Sequence, residues 1–379
     1  MTKPLEKISF NRPSLVGNEL AYVRDAIELG HISGDGSYTR RCEEVLSQLM
    51  GGARVLLTTS CTHALEMAAL LLDIRPGDEV IVPSFTFVSA ANAFVLRGAR
   101  PVFIDSRPDT LNMDERLLAG LITDRTRAVV AMHYGGVGCE MDAIMTVARN
   151  AGVKVIEDNA HGLFGAYRGQ ALGTFGDMST LSFHETKNIF CGEGGALVLN
   201  DLLLAARAEV LREKGTNRSR FFRGEVDKYT WVDLGSSYVP SEMLAAFLLG
   251  QLEKRDDVQA ARQRIWQRYH DGLAEWAGRR GVQLAEVPPH RTSSHHIFYL
   301  LMPRLDERQA LIAHLRERGV QGIFHYIPLH SSPMGQQFGG RAGDCPVAES
   351  VSDRIVRLPF YSSLAEEQQM RVIEAVTSF

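Results

Sequence analysis

The chain has 379 residues, of which 45% are hydrophobic and 23% are charged, so it is long enough to bury a large core. This composition excludes a disordered, collagen-like or coiled-coil chain, and the length favours one large α/β domain with a smaller companion, or two to three domains. The 41 Lys and Arg residues nearly balance the 45 Asp and Glu residues, with no long run of one sign. We therefore expect no nucleic-acid partner.

Cysteine usage and the N-terminus indicate the compartment. The five cysteines are scattered and form no C-x-x-C pair, so neither a disulfide framework nor a zinc site is predicted. The first ten residues include Lys3 and Lys7 and lack the apolar segment of a signal peptide. The apolar stretch 64–74 is too short to span a bilayer and contains Glu66 and Asp73. We expect a cytoplasmic protein without a membrane partner.

Short apolar runs alternate with helical stretches from about residue 54 to residue 200. Two of the intervening helices are predicted at Thr62–Leu72 and Asp142–Ala151. The runs are typical of strands buried on both faces: Val55–Leu57, Glu79–Val82, Arg100–Ile104, Arg127–Met132, Val153–Ile156, Thr180–Phe183 and Ala196–Leu199. The pattern predicts an α/β fold with a mostly parallel seven-stranded sheet and helices on both faces.

The last third of the chain has a different pattern. A long helical stretch from Ser241 to about Trp276 is predicted to bridge to a smaller C-terminal α+β domain. That domain would contain the strand Phe298–Met302 and the helices Glu307–Arg318 and Ala365–Val376. We divide the chain into a large ligand-binding domain with an N-terminal arm, residues 1–245, and the bridging helix with the small domain, residues 246–379. No repeat or low-complexity linker separates them.

Two strand ends carry the strongest chemical signal. Asp158 comes two residues after the fifth run, and Lys187 follows the sixth, ahead of a glycine-rich segment at residues 192–195. Ligands of parallel sheets gather at the carboxyl ends of the strands. There a lysine suits a Schiff base, and a carboxylate suits the ring nitrogen of pyridoxal phosphate. Taken alone, each residue has a common structural use, since a loop lysine is more often solvated and an aspartate often caps a helix.

Two further strand ends fit the same cofactor. Small hydroxyl residues at 58–63 open a helix, whose free N–H groups and dipole favour a phosphate, although an ordinary N-cap has the same sequence. Phe85 and Phe87 follow the second run, where an aromatic ring either stacks on a pyridine ring or fills the core. Four weak features after four strands of one sheet together predict a pyridoxal phosphate site.

Several motifs resemble those of the DegT/DnrJ/EryC1/StrS sugar aminotransferases, a fold-type I group of transferases that depend on pyridoxal 5′-phosphate. The resemblance extends over essentially the whole chain and implies this cofactor. The motifs are S-F-H-E-T-K-N at 182–188, G-E-G-G at 192–195, P-S-F-T-F-V-S at 83–89, P-G-D-E-V at 76–80 and E-D-N-A-H-G at 157–162.

The resemblance also implies residue roles at the cofactor. The implied positions are Lys187 for the covalent link, Asp158 for the ring nitrogen, His161 for the ring oxygen, Phe87 for the ring face, and Ser182, Thr62 and His63 for the phosphate. Many relatives carry Asn in a G-Y-N-x-R-M motif that reaches the phosphate from the partner subunit. Here the sequence at that place is Gly235-Ser236-Ser237-Tyr238, so Ser237 would supply a shorter contact.

Three segments, at 212–219, 227–231 and 324–330, resemble members that aminate C4 of dTDP-4-keto-6-deoxy-D-glucose with L-glutamate as donor. The implied substrate residues are Lys214, Asn217, Arg218, Tyr229, His325, Tyr326 and His330. The basic stretch around residue 214 is equally typical of a solvated loop. Two histidines five residues apart make a weak metal site, so no metal is predicted. The sequence leaves open the C4 configuration of the dTDP-4-amino-4,6-dideoxyhexose product and the pathway it serves.

The resemblance further implies a homodimer with shared active sites, in which the loop Asp233–Val239 crosses to the neighbour together with residues 218–229. Three functions are alternatives to amination at C4, and the first is amination at C3 of the sugar. A sugar dehydratase of this fold carries His at the lysine position, so Lys187 argues against it. A regulator that binds the cofactor without catalysis would bring a DNA-binding domain with a basic helix, which this sequence does not indicate.

Overall fold

The computed structural model describes residues 6–379, in which strands and helices alternate along most of the chain. The strands are β1 (Arg54–Thr58), β2 (Glu79–Pro83), β3 (Arg100–Ile104), β4 (Thr126–Met132), β5 (Lys154–Asp158), β6 (Ala166–Tyr167), β7 (Gln170–Ala171), β8 (Met178–Ser182), β9 (Gly195–Leu199), β10 (Gln283–Leu284), β11 (Arg291–Thr292), β12 (Tyr299–Leu301) and β13 (Ile355–Arg357). The helices are α1 (Glu19–Glu28), α2 (Ser37–Leu49), α3 (Cys61–Leu71), α4 (Ser89–Val95), α5 (Glu115–Leu121), α6 (Met141–Ala151), α7 (Ala205–Arg212), α8 (Arg218–Phe222), α9 (Glu242–Glu253), α10 (Arg255–Arg280), α11 (Leu305–Glu317), α12 (Pro333–Gln337), α13 (Pro346–Arg354) and α14 (Glu366–Thr377).

A seven-stranded sheet organises the first 200 residues, with the strand order β1-β9-β8-β5-β4-β2-β3. Strands β3, β2, β4, β5 and β8 pair in parallel, whereas β9 runs antiparallel to both of its neighbours. Each of the seven predicted runs forms one strand of this sheet, with bounds that differ by at most two residues. The predicted mostly parallel sheet is confirmed.

Helices cover both faces of this sheet because alternate strand residues point in opposite directions. Val80 and Val82 of β2 pack with α3 and α4, whereas Ile81 between them packs with α5 and α6. All three side chains are fully buried. A strand buried on both faces needs a continuous apolar run, which is what the sequence provides here.

The predicted bridging helix is two helices rather than one. Lys254 leaves the helical region, with φ −102° and ψ 12°, and separates α9 from α10. The break arises because α9 packs on α1 and α2, whereas α10 packs on α14 and the strand β10. The division proposed at residue 245 falls inside α9 and stays a prediction. No helix within residues 6–379 has the length and apolar character needed to cross a membrane.

The C-terminal part is α+β, as predicted. Strands β10, β12 and β13 form an antiparallel sheet in the order β10-β12-β13, and side chains of α10, α11, α13 and α14 share its core. The two predicted helices of this region correspond to α11 and α14, and the predicted strand is the shorter β12. A third small sheet, β11-β6-β7, was not predicted.

The C-terminal part is anchored to the carboxyl edge of the large sheet. After β2, Ser84 accepts the Leu329 N–H through its carbonyl at 2.8 Å. After β3, the Asp105 carboxylate accepts the N–H groups of Val347 and Ala348 at 3.0 and 2.9 Å, at the start of α13. A carboxylate at a helix N-terminus is favoured by free N–H groups and by the helix dipole. These contacts bring segment 324–330 over the ligand edge of the sheet.

One glycine sets the approach of α3 to the sheet. A Cβ atom on Gly195 of β9 would lie 2.4 Å from both Cys61 N and Ser60 C, at the start of α3. Both are backbone atoms, so Gly195→Ala forces α3 away from β9. We expect the variant to lose about 1–3 kcal/mol of unfolding free energy, measured by urea denaturation.

Gly278→Ala is the matched control for this prediction. Gly278 lies in α10, and a Cβ atom added there would have nothing within 4 Å, so alanine at this position is neutral or stabilising. Equal unfolding midpoints for the two variants would show that α3 does not depend on the close approach at Gly195.

Candidate active site

Lys187 lies in the turn that follows β8. Its N–H donates to the His184 carbonyl at 2.9 Å, and the Cys191 N–H to Phe183 carbonyl bond closes the base of the turn. Within the described residues, the Lys187 Nζ has no hydrogen bond or ion pair. The surrounding protein lowers the pKa of Lys187 to about 8, because desolvation disfavours the ammonium form. Its amine is therefore available as a base or a nucleophile near neutral pH.

Asp158, the last residue of β5, is 5% exposed. Its carboxylate accepts the Ala160 N–H at 3.2 Å, and burial raises its pKa, an effect that the nearby Lys187 opposes. Residues 160–164 form turns and no helix follows β5 there, so Asp158 caps no helix and the alternative interpretation is wrong. A buried carboxylate with one neutral donor is poorly satisfied, and a protonated ring nitrogen is a group that fits it.

The neighbouring carboxylate points to the opposite face of β5. Glu157 accepts N–H groups from Gly173, Phe175 and Gly176 at 2.7–2.8 Å. It also accepts His133 Nε2–H at 2.9 Å, since His133 Nδ1 is itself the acceptor for the Cys139 N–H. Glu157 is therefore a structural anchor, and Asp158 alone is directed to the site.

The N-terminus of α3 forms a cradle beside them. Ser60 caps the helix by accepting the His63 N–H at 3.1 Å, and the Thr62 and Ser89 hydroxyl groups share a hydrogen bond of 2.8 Å. The first N–H groups of a helix lack intrahelical acceptors and bind anions well. Ser182 ends β8 opposite Gly195, the residue that touches the start of α3, so it lies on the same edge. These positions suit a phosphate.

Of the two phenylalanines after β2, one packs in the core and the other is exposed at the ligand edge. Phe85 is 1% exposed and packs on Tyr134 with a centroid distance of 5.2 Å. Phe87 is 56% exposed and lies 6.3 Å from the Tyr326 ring. Core packing therefore falls to Phe85, and Phe87 presents an uncovered ring at the ligand edge.

Stacked histidines form another wall. The His161 ring lies 4.1 Å from the His296 ring and 6.1 Å from the His325 ring, with small interplanar angles. His325 stacks on Tyr326 at 3.6 Å and shares a 2.6 Å hydrogen bond with the Tyr134 hydroxyl. Burial holds the pKa of all three histidines well below the usual value, so this wall is neutral.

Sequence reasoning missed two residues of this region. His296 Nδ1 donates to Asn188 Oδ1 at 2.9 Å, which ties the wall to the residue after Lys187; its only sequence signal is the pair His295-His296 before β12. Arg357 ends β13, and its positive charge lowers the pKa of Lys187. Position 357 lies 170 residues from Lys187, and no local motif indicates this electrostatic interaction.

His330 is not brought to the site. Its ring is fully buried, its Nδ1 accepts the Ser84 hydroxyl, and its Nε2 donates to Glu349 at 2.8 Å. Both nitrogens are engaged in joining β2 to the C-terminal part, so the ring is structural in this chain. The described residues contain no group of three side chains placed to hold a metal.

The predicted substrate residues between α7 and α9 lie together, and within residues 6–379 no hydrogen bond or ion pair joins them to Lys187. Lys214 and Arg218 pair with Glu213 at 3.2 and 3.5 Å, and Asn217 Oδ1 accepts the Thr230 N–H at 2.7 Å. Tyr229 is half exposed and packs on Phe221 of α8, with a centroid distance of 5.8 Å. Their side-chain hydrogen bonds and ion pairs stay within residues 213–230, and the Lys214 backbone N–H donates to the Ser236 carbonyl at 2.9 Å.

Ser237 lies at the base of the same loop, next to the α3 cradle of its own chain. Its side chain is exposed, and its backbone bridges to Glu213. The following residue, Tyr238, is buried, accepts the Thr59 N–H at 2.9 Å and packs on the His63 ring at 5.2 Å. The phosphate contact of Ser237 across a dimer stays a prediction.

The lowered pKa of Lys187 predicts a pH dependence. An amine adds to an aldehyde only in its neutral form, whose fraction rises with pH and levels off above a pKa of about 8. We expect covalent uptake of pyridoxal 5′-phosphate by the cofactor-free protein, trapped with borohydride, to accelerate up to about pH 8 and then plateau. A rate still rising near pH 10 would indicate the ordinary lysine value of 10.5, and Lys187→Ala supplies the background.

Comparison with known proteins identifies the group to which this site belongs. Residues 13–377 match the DegT/DnrJ/EryC1/StrS aminotransferase family. The chain is 34% identical to GDP-perosamine synthase of Caulobacter vibrioides over 380 residues, covering 98% of each chain. Among solved structures it resembles the aminotransferase TlmJ of Streptoalloteichus hindustanus, with TM-score 0.90, 32% identity and 98% of each chain covered.

A further solved structure bears on the cofactor. The PLP form of the putative sugar aminotransferase Spr1654 of Streptococcus pneumoniae matches with TM-score 0.91 and 26% identity, over 98% of each chain. The predicted fold of PLP-dependent transferases is thereby confirmed, and pyridoxal 5′-phosphate is the cofactor of this group. The chain belongs to the DegT/DnrJ/EryC1/StrS aminotransferase family and is a transaminase that depends on pyridoxal phosphate.

Proposed function

We propose that this transaminase moves the amino group of L-glutamate to the C4 keto group of dTDP-4-keto-6-deoxy-D-glucose. The products would be 2-oxoglutarate and a dTDP-4-amino-4,6-dideoxyhexose. The observation that carries transamination is the unpaired Lys187 amine, with its lowered pKa, beside the buried Asp158 at one sheet edge. The choice of sugar nucleotide is supported by the resemblance of segments 212–219, 227–231 and 324–330.

The residues present fit the cofactor. When bound, pyridoxal phosphate supplies an electron-withdrawing ring and the aldehyde carbon that receives the amino group. Asp158 would accept a hydrogen bond from the protonated ring nitrogen, Phe87 would cover one ring face, and Thr62 and His63 would hold the phosphate at the start of α3. This assignment uses the poorly satisfied Asp158 carboxylate, the exposed Phe87 ring and the N-terminus of α3.

Lys187 then has one chemical task in both half-reactions. Its neutral Nζ takes the proton from the α-carbon of glutamate, and later it delivers a proton to C4 of the sugar. A base with a pKa of about 8 can be both proton acceptor and proton donor near neutral pH. The neutral wall of His161, His296 and His325 limits water around this amine without adding a competing charge.

A homodimer is part of the proposal. Large apolar side chains stay exposed in two regions: α1 with the residue that follows it, and α8 with the loop before α9. They include Leu20, Ile27, Leu29, Phe222, Trp231 and Leu234. Trp231 is 75% exposed and Phe222 69%. Parts of both regions, Leu29 and Phe222 among them, line one cavity of about 630 Å³. Monomeric proteins rarely leave such a surface uncovered, and a second copy of the chain would bury it.

A GDP-linked keto sugar is the second candidate acceptor. The observation that favours it is the 34% identity to a relative named GDP-perosamine synthase. The proposed reaction and this alternative differ in the nucleotide, so one assay with both keto sugars separates them.

The assay of the proposed function uses the purified dimer with L-glutamate and either keto sugar. We expect amination of the dTDP sugar at C4, identified by NMR of the product, and loss of turnover in Lys187→Ala because the proton carrier is gone. Lys254→Ala, which removes an exposed lysine between α9 and α10, is the matched control and keeps full activity. Amination of the GDP sugar alone, or at C3, would refute the proposed substrate.

Shared active sites predict complementation between two inactive variants. Lys187→Ala removes the base from one chain, and Ser237→Arg blocks the loop proposed to reach the partner. In a refolded mixture half of the dimers are mixed, and in these one site collects both lesions while the other is intact. We expect roughly a quarter of parental activity, assayed as above.

Each variant refolded alone supplies the baseline for this mixture. Sites built within single chains would leave every site with one lesion, so no activity would return. A monomer in light scattering at micromolar concentration would also contradict the shared dimer.

A further inference from the structure

Arg357 is a buried cation with few partners. Its Nη2 donates to the Phe324 carbonyl at 3.2 Å, and its Cζ lies 4.7 Å from the Phe10 ring centroid. Its Nε is buried and has no hydrogen-bond partner among the described residues, and no carboxylate pairs with the guanidinium. The pKa of Arg357 is lowered by burial, with Tyr134 and Tyr326 opposing the shift.

Other arginines with little exposure are compensated more fully. Arg212 is paired with Glu43 and Asp35, at 2.7 and 2.5 Å. Arg262 donates to two backbone carbonyl groups, and the Arg291 guanidinium pairs with Glu140. Burying a charge without its counterpart is costly. Arg357 therefore has neither the carboxylate that pairs with Arg212 and Arg291 nor the second carbonyl acceptor of Arg262. An anion supplied by a ligand would satisfy it.

The position of Arg357 restricts where that anion lies. Its guanidinium is bonded to the Phe324 carbonyl, next to His325, whose ring lies 6.1 Å from the His161 ring in the wall of the site. In agreement with this position, its charge lowers the pKa of Lys187 and also of His161, His296 and His325. The three histidines are neutral. Arg357 is therefore the cation that acts on Lys187 in the described part of the chain.

We propose that Arg357 binds the α-carboxylate of the amino donor and selects α-amino acids in the first half-reaction. The inference rests on the proposed transaminase function. The α-carbon of the donor must reach Lys187 Nζ to lose its proton, and the α-carboxylate is bonded to that same carbon. The Nε edge of a guanidinium matches a carboxylate in a bidentate geometry. The diphosphate of a sugar nucleotide, attached at C1, lies across the pyranose ring from the reacting C4 and farther from this amine.

The test separates the two half-reactions in Arg357→Gln, which keeps the size and polarity of the side chain but removes its charge. Stopped-flow absorbance of the cofactor follows the reaction with L-glutamate, and separately the reverse reaction with the amino sugar nucleotide. We expect the apparent Kd for L-glutamate to rise by about 30-fold or more, with the sugar half-reaction changed by less than about 3-fold. Arg316→Gln, an exposed arginine on α11, is the matched control and changes neither.

A donor analogue tests the same contact from the ligand side. L-Isoglutamine carries an amide in place of the α-carboxylate, so the parent enzyme should react with it far more weakly than with L-glutamate. In Arg357→Gln this discrimination should shrink by about the same factor as the affinity for L-glutamate falls. Arg357→Lys retains the charge without the fork, and an affinity between those of parent and Arg357→Gln supports the assignment.

The outcomes distinguish this inference from the function on which it rests. A parent enzyme that does not react with L-glutamate refutes the proposed donor, whatever Arg357 does. A parent that reacts, with Arg357→Gln unchanged in the glutamate step, refutes the inference alone. An effect confined to the sugar step would assign Arg357 to the sugar nucleotide instead. If Arg357→Gln fails to fold, the isoglutamine discrimination of Arg357→Lys decides, since an unchanged ratio overturns the proposal.

Discussion

The parallel pairing of β5 with β8 is the constraint on which the site depends. In this register Asp158, at the end of β5, lies opposite Thr180, so β8 continues past it before turning to Lys187. A buried acid and a buried amine thereby face one space at the carboxyl edge, where each reduces the desolvation penalty of the other. A shift of β5 by one residue would place Glu157 instead of Asp158 at the site. It would also remove the Glu157 carboxylate from the four donors that it accepts on the other face of the sheet.

The antiparallel strand β9 places the anion cradle at the same edge. It runs between β1 and β8 and brings Gly195 against the first turn of α3. The absence of a side chain at this position lets a helix N-terminus approach the end of β8 closely. The site therefore has an anion-binding end, formed by the first N–H groups of α3, and an anionic end, formed by the Asp158 carboxylate. Lys187 lies with them at the same edge of the sheet.

The C-terminal part is held over the ligand edge by polar anchors, beside an apolar core that also contains Phe85, Met132 and Tyr134. One anchor is His330, which is bonded to Ser84 and Glu349. The other is Asp105, which accepts N–H groups at the start of α13. Together they hold the segment that carries His325 and Tyr326. Ser84 and Asp105 follow directly after β2 and β3, so a movement of the C-terminal part would displace residues at the ligand edge of the sheet. His330 was expected at the substrate, and its burial between two partners shows why residue type and motif alone cannot separate a ligand contact from an anchor.

By itself, the sequence determined the strands, their burial on both faces and the group of residues that follows each strand, because apolar periodicity and chain order are local properties. It also identified Lys187 and Asp158, since strand ends of a parallel sheet meet at one edge. Only the tertiary structure decided that Phe87 rather than Phe85 is uncovered and that Lys254 breaks the bridging helix. It also decided that His296 is bonded to Asn188, next to Lys187, and that the charge of Arg357 acts on the lysine. These depend on packing between segments more than one hundred residues apart, which leaves no pattern within any one segment.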